Sequence, residues 1–74
     1  MENSIKNLKR AFEYAKDLGF NESDFYSINV WEHEVSLQGE QNDRANTPYF
    51  EKQSDGFRRH YGNVDDLAIR IVIG

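Results

Sequence analysis

Residues 67–74 read Leu-Ala-Ile-Arg-Ile-Val-Ile-Gly, with Leu67, Ile69, Ile71 and Ile73 at every second position. Period two is the spacing of a strand. The alternate positions are Ala68, Arg70 and Val72, so the second face is largely apolar too. A strand apolar on both faces belongs at the centre of a sheet or beneath a partner. These residues are therefore expected inside the domain core or in an oligomer interface, and the rest of the chain has to be arranged around them.

A chain of 74 residues has room for one domain, spanning residues 1–74. A domain of this size buries only roughly 60% of the surface that its unfolded chain exposes. There is no cysteine, so neither a disulfide nor a thiolate metal site can staple the fold. Stability has to come from the apolar core, helped by self-association. Five Phe, four Tyr and Trp31 are available to fill that core. Met1-Glu2-Asn3-Ser4-Ile5-Lys6 holds no apolar leader, and no run approaches the roughly 18 apolar residues that cross a bilayer. The expectation is a cytoplasmic protein with no membrane association.

Ile5, Leu8, Phe12 and Ala15 recur at helical spacing, and Ala11 and Leu18 widen the stripe. Asn3 or Ser4 can cap the start, and Gly19 can take the left-handed position after the end, with Phe20 folding back on the last turn. The spacing predicts a helix over 4–18, amphipathic and packed on a sheet. Farther on, Ile28 and Val30 alternate with Ser27 and Asn29, then Val35 and Leu37 alternate with Ser36 and Gln38. The parity of the apolar positions flips between Val30 and Val35. One straight strand would send the two pairs to opposite faces. A hairpin turning through the four residues Trp31-Glu32-His33-Glu34 places Val30 opposite Val35 and Ile28 opposite Leu37 on one face. Residues 40–48 form a polar loop, expected to be mobile and to meet a partner. Residues 49–52 suggest a third strand, Asp55-Gly56 a turn, and residues 57–61 a fourth strand with Phe50 near Tyr61. Residues 62–66 turn into the last strand. The fold class is α+β: one N-terminal amphipathic helix on an antiparallel sheet of about four to five short strands.

The net charge is −4, unevenly distributed: +1 over residues 1–18, −6 over residues 19–55 and +1 over residues 56–74. An acidic middle opposes non-specific phosphate binding and favours a basic partner, although solubility alone accounts for the same charges. Little in the chain suggests catalysis. No serine sits in a Gly-x-Ser-x-Gly elbow, and the glycines are scattered rather than gathered into a phosphate loop. In Glu32-His33-Glu34, neighbours on a strand point to opposite faces and make a poor chelate, so His33 is read as exposed. His60 follows Arg58 and Arg59 with no carboxylate in sequence to orient it, and is not read as a general base. No enzyme activity, cofactor or metal site is expected.

Three readings of function remain. In the first, the chain is a non-enzymatic protein-interaction module. Glu32, Glu34, Glu40, Asp43, Glu51 and Asp55 meet a basic surface, such as that of a nucleic-acid enzyme, and Trp31 serves as an anchor or else closes the end of the core. In the second, Tyr49, Arg58, Arg59 and Tyr61 bind single-stranded nucleic acid through aromatic and Arg side chains on a sheet. In the third, the chain is a structural subunit that forms a homo-oligomer through the edge of its C-terminal strand.

The segment Ile28-Asn29-Val30-Trp31-Glu32-His33-Glu34-Val35-Ser36-Leu37-Gln38-Gly39 resembles small proteins of phages and other mobile elements. In those proteins a short helix precedes a hairpin ending in a Val-Ser/Thr-Leu-Gln-Gly-like strand. A second hairpin and an apolar last strand follow. The likeness covers roughly residues 26–39 and, more loosely, 56–73. It implies an accessory protein that binds and modulates a host enzyme, as some small acidic inhibitors of CRISPR effectors do by analogy. It carries no catalytic residues over.

Overall fold

The computed structural model describes residues 2–74. Helix α1 spans Glu2–Asp17, and five strands follow: β1 Phe25–Val30, β2 Glu34–Gly39, β3 Glu51–Lys52, β4 Arg58–Val64 and β5 Leu67–Ile73. Short 3-10 turns lie at Glu22–Asp24 and Asp43–Ala45. The strands form one sheet in the order β1-β2-β5-β4-β3. One helix over a sheet of five strands is the α+β architecture that the sequence pattern anticipates. The pairing differs in one respect. β2 and β5 run parallel, so the sheet is mixed rather than wholly antiparallel. The alternation of apolar residues sets which face a strand buries, and it is blind to strand direction.

β5 takes the central place, with β2 on one side and β4 on the other. Leu67, Ile69, Ile71 and Ile73 are all buried beneath the helix, together with Val35 and Leu37 of β2. Each such side chain contributes about 1.5–3 kcal/mol through burial. Both hydrogen-bonding edges of β5 are occupied, so the expected oligomer through this strand has no edge to use. The free edges of the sheet are β1 and β3.

The first hairpin has the expected register, with Val30 opposite Val35 and Ile28 opposite Leu37. Its loop is tighter than the four-residue one expected, because Glu34 already belongs to β2 and accepts a hydrogen bond from the Trp31 N–H at 2.7 Å. Register shifts between Phe25 and Ser27, so Tyr26 is the extra residue of a bulge. In the second hairpin, Glu51 pairs with Arg59 and Lys52 with Arg58. Phe50 therefore meets His60, with ring centroids 5.4 Å apart, and not Tyr61. The connection uses a 53–56 turn closed by Gly56 N–H to the Gln53 carbonyl at 3.0 Å, and Gly56 has φ +88°. This is the three-residue loop that requires a left-handed residue in third place. β4 runs on through Val64, so the turn into β5 needs only Asp65 and Asp66 rather than the five residues expected.

The helix begins earlier than its expected start, so Asn3 and Ser4 lie in its first turn instead of capping it. Its buried line is Asn7, Ala11 and Ala15, at i, i+4 and i+8, flanked by partly buried Leu8, Phe12, Tyr14 and Leu18. Ile5, expected in the stripe, is 60% exposed. The helix ends as expected: Phe20 N–H bonds the Ala15 carbonyl at 3.0 Å and Gly19 N–H bonds that of Lys16 at 2.9 Å. Those two bonds are a Schellman cap, and they turn Phe20 into the core. The 40–48 loop is pinned, contrary to the expectation of mobility, because Ala45 is fully buried within the core cluster.

Gly19 has φ +99° and open space where a side chain would grow. Replacing it with Ala is therefore a test of backbone strain alone. Gly19→Ala is expected to lower stability by about 1–2 kcal/mol, seen as a lower urea midpoint with an unchanged slope.

Candidate docking face

The helix covers one face of the sheet; no described helix or strand lies over the other, where neighbouring side chains leave Val72 only 7% exposed. Register fixes the rows of side chains on that open face. One row runs Glu51, Arg59, Val72, Gln38 and Ser27; the next runs Tyr61, Arg70, Ser36 and Asn29. A third holds Asn63, Ala68 and Glu34. Ser36, Gln38, Arg70 and Val72 form the floor of a shallow hollow of about 320 Å³, with Asn29 and Trp31 on its β1 side and Phe57 and Arg59 on its β4 side. Trp31 is 52% exposed and Tyr61 62% exposed.

Two arginines stand on this face in different circumstances. Arg59 lies over the Phe57 ring at 5.6 Å and bonds Asp55 through both of its terminal nitrogens, at 2.9 and 3.3 Å. Asp55 also accepts the Phe57 N–H at 3.0 Å. The Arg59 guanidinium, and then the Phe57 amide, hold the Asp55 carboxyl below its ordinary range, and Arg59 is held above its own. The Arg70 Cζ lies over the Tyr61 ring, 5.7 Å from its centroid, and Arg70 makes no salt bridge among the described residues.

The main chain at Trp31 is held by the helix. Asn7, only 6% exposed, donates its side-chain amide to the Trp31 carbonyl at 3.2 Å and the Glu32 carbonyl at 2.9 Å. A buried amide with both bonds made ties the hairpin tip to the helix. Asn7 is not among the apolar residues that mark the helical stripe. Its place one and two turns before Ala11 and Ala15 is the signal that it faces inward.

The acidic residues read from sequence are divided among several surfaces. Glu34 and Glu51 share the open face, and Asp55 borders it through Arg59. Glu32 is exposed at the hairpin tip, 3.9 Å from His33. Glu40 and Asp43 lie in the loop whose Ala45 and Phe50 pack into the core on the helix side. Six separate carboxylates therefore do not make one patch.

The proposed nucleic-acid set is divided as well. Arg59 and Tyr61 share the open face, while Arg58 belongs to the opposite face, alongside Lys52 and Ile73. Tyr49 is exposed in the loop, and its carbonyl accepts from His60.

His60, which follows two arginines in sequence, is buried. The Tyr49 carbonyl can only accept, so Nδ1 carries the proton at 2.8 Å. In the neutral ring Nε2 then accepts the Tyr14 hydroxyl at 2.6 Å. Both ring nitrogens thus act to tie the loop and the helix to β4. Gly62 leaves room for the arrangement, since a Cβ there would collide with the Tyr14 hydroxyl. No group of three metal-ligating side chains converges among the described residues, and no described helix is long and apolar enough to cross a membrane.

The Asp55–Arg59 pair has a measurable signature. The Asp55 carboxyl is expected to titrate below 3.8, and Arg59→Gln should return it toward that value, as followed by carbon-detected NMR. A carboxylate with a depressed folded-state pKa contributes stability above the unfolded pKa and loses it as pH falls through the folded one. The pair is therefore intact at neutral pH and is released only in acid below the ordinary carboxylate range.

No family model, curated protein or solved structure matches this chain.

Proposed function

We propose that this protein is a non-enzymatic interaction module that docks another protein on the open face of its sheet. The observation that supports this reading is the grouping of Trp31, Phe57 and Tyr61 with two arginines on one uncovered surface. Trp, Tyr and Arg are the residues that most often carry binding energy at protein interfaces. The Asn7 clamp adds to this, because it fixes the main chain from which the Trp31 side chain projects, so that segment loses less freedom on binding.

Charge narrows the partner. Glu34 and Glu51 on the face suit a partner whose own rim is basic, such as the surface of a nucleic-acid enzyme. The hairpin's resemblance to accessory proteins of phages and mobile elements points the same way, toward binding and modulation of a host enzyme. A nucleic-acid strand suits the face less well. Arg58 is on the other side, Arg59 is already neutralised by Asp55, and the net charge is −4.

The test is affinity capture from host lysate with nuclease present, comparing the native chain with the Trp31→Ala/Tyr61→Ala double variant. A protein retained by the native chain and lost by the double variant is the expected result. With that partner purified, Glu34→Lys/Glu51→Lys should slow association and flatten its salt dependence, while Asp43→Lys should leave both unchanged. Equal capture by the native chain and the double variant would overturn the reading. So would recovery of labelled oligonucleotides with steep salt dependence, which would assign the face to nucleic acid.

A further inference from the structure

Arg70 differs from the other arginine of the open face in having no counter-charge. It stands on the central strand, so its side chain rises from the middle of the face and not from a margin bathed in water. It is half-buried, and its Nε is buried without a hydrogen-bond partner. The arginine salt bridges among the described residues are Arg44–Asp24 and Arg59–Asp55. Glu34 is on the same face, one row away beside Ala68, and does not reach it. A desolvated N–H of a cation with no acceptor is costly to maintain.

Besides Arg59, which Asp55 already neutralises, and Glu34, which makes no salt bridge to Arg70, the side chains lining the hollows around Arg70 are neutral or aromatic. Ser36 is its register neighbour on β2, and Tyr61 its neighbour on β4. Asn29 and Gln38 line the same hollow. The Arg70 Cζ lies 5.7 Å from the centroid of the Tyr61 ring, within cation–π range, and a guanidinium fork matches the two oxygens of a carboxylate.

We propose that Arg70 is the receiving group for a single carboxylate of the docking partner, an Asp or Glu side chain or a free C-terminus, seated in the hollow between Trp31 and Phe57. This rests on the reading of the open face as a protein-docking surface and adds the chemistry at its centre. The partner then has a basic rim that meets Glu34 and Glu51, and one acidic group at its middle. A carboxylate suits the site better than a phosphate. Only one cation is unpaired here, and Glu34, Glu51 and a net charge of −4 all oppose a dianion.

The site can be tested without the partner. In the nitrogen-15-labelled protein, the Arg70 Nε–H resonance is followed during separate titrations with sodium acetate, inorganic phosphate and, at matched ionic strength, sodium chloride. Acetate is expected to give a saturable downfield shift of that resonance, accompanied by the Ser36 and Tyr61 amides. Chloride should produce none. Arg70→Gln should abolish the response of the two amides, and Arg70→Lys should retain it only weakly, because an ammonium cannot reproduce the fork. A response to acetate no larger than that to chloride would overturn the proposal. Half-saturation by phosphate at tenfold lower concentration than acetate would also overturn it, as the mark of a phosphate site.

The two readings can fail separately. Saturable acetate binding without any partner lost in the Trp31→Ala/Tyr61→Ala variant would keep the carboxylate site and remove the docking function. A captured partner that binds Arg70→Gln as tightly as the native chain would keep the docking function and remove the site.

Discussion

The structure depends on β5 being buried on its helix side and hydrogen-bonded along both edges. Ile69, Ile71 and Ile73 supply much of the apolar surface against which α1 packs, and β2 and β4 hold their places by bonding to this strand. In a domain this small few other apolar groups exist to share the task. The helix can approach closely because Ala11 and Ala15 are the side chains at its centre. The opposite face of β5 carries Ala68, Arg70 and Val72, and no described element lies over them. One strand therefore both organises the core and forms the middle of the uncovered surface.

That surface combines two electrostatic arrangements within a few residues. Arg59 is satisfied internally, by Asp55 and the Phe57 ring. Arg70 lies beside the Tyr61 ring, has no counter-charge among the described residues, and its buried Nε has no hydrogen-bond partner. Proteins normally pair or hydrate a half-buried charge, so the contrast gives the face a direction: the β4 margin is complete, and the centre is not. The acidic side chains that dominate the composition sit around that centre or on other surfaces altogether. Net charge alone describes the molecule poorly here, because position on the sheet decides which charges a partner meets.

Much of the fold was legible because it follows from short-range rules. Period two in residues 67–73 marked the central strand, the parity flip between Val30 and Val35 required a hairpin, and Gly19 followed by Phe20 marked the end of the helix. What escaped the sequence depended on contacts between distant residues. The parallel pairing of β2 with β5 leaves no trace in alternation. Phe50 is one residue out of the expected register because Gly56 adds a bulge to the turn. Asn7 and His60 are polar residues made inward-facing by partners 24 and 46 residues away, the hairpin tip and Tyr14. The candidate site was legible in its components, Trp31, Arg59 and Tyr61, and not in its assembly. Arg58 and Arg59 are adjacent in sequence and on opposite faces in the sheet, whereas Arg70, which lines the hollow with Trp31, was read only as an interruption in an apolar strand.

The seam between β2 and β5 has a consequence for how the molecule comes into being. Each side of it is a local unit, α1 with the β1–β2 hairpin on one side and β3–β4–β5 on the other, closed by short turns. Neither half is large enough to bury a core alone. Joining them is the non-local step, with the highest entropic cost of loop closure. The open face straddles this seam: Trp31, Ser36 and Gln38 come from one half, and Phe57, Arg59 and Arg70 from the other. The surface does not exist on a nascent or half-assembled chain, and a partner that recognises it distinguishes finished molecules from unfinished ones.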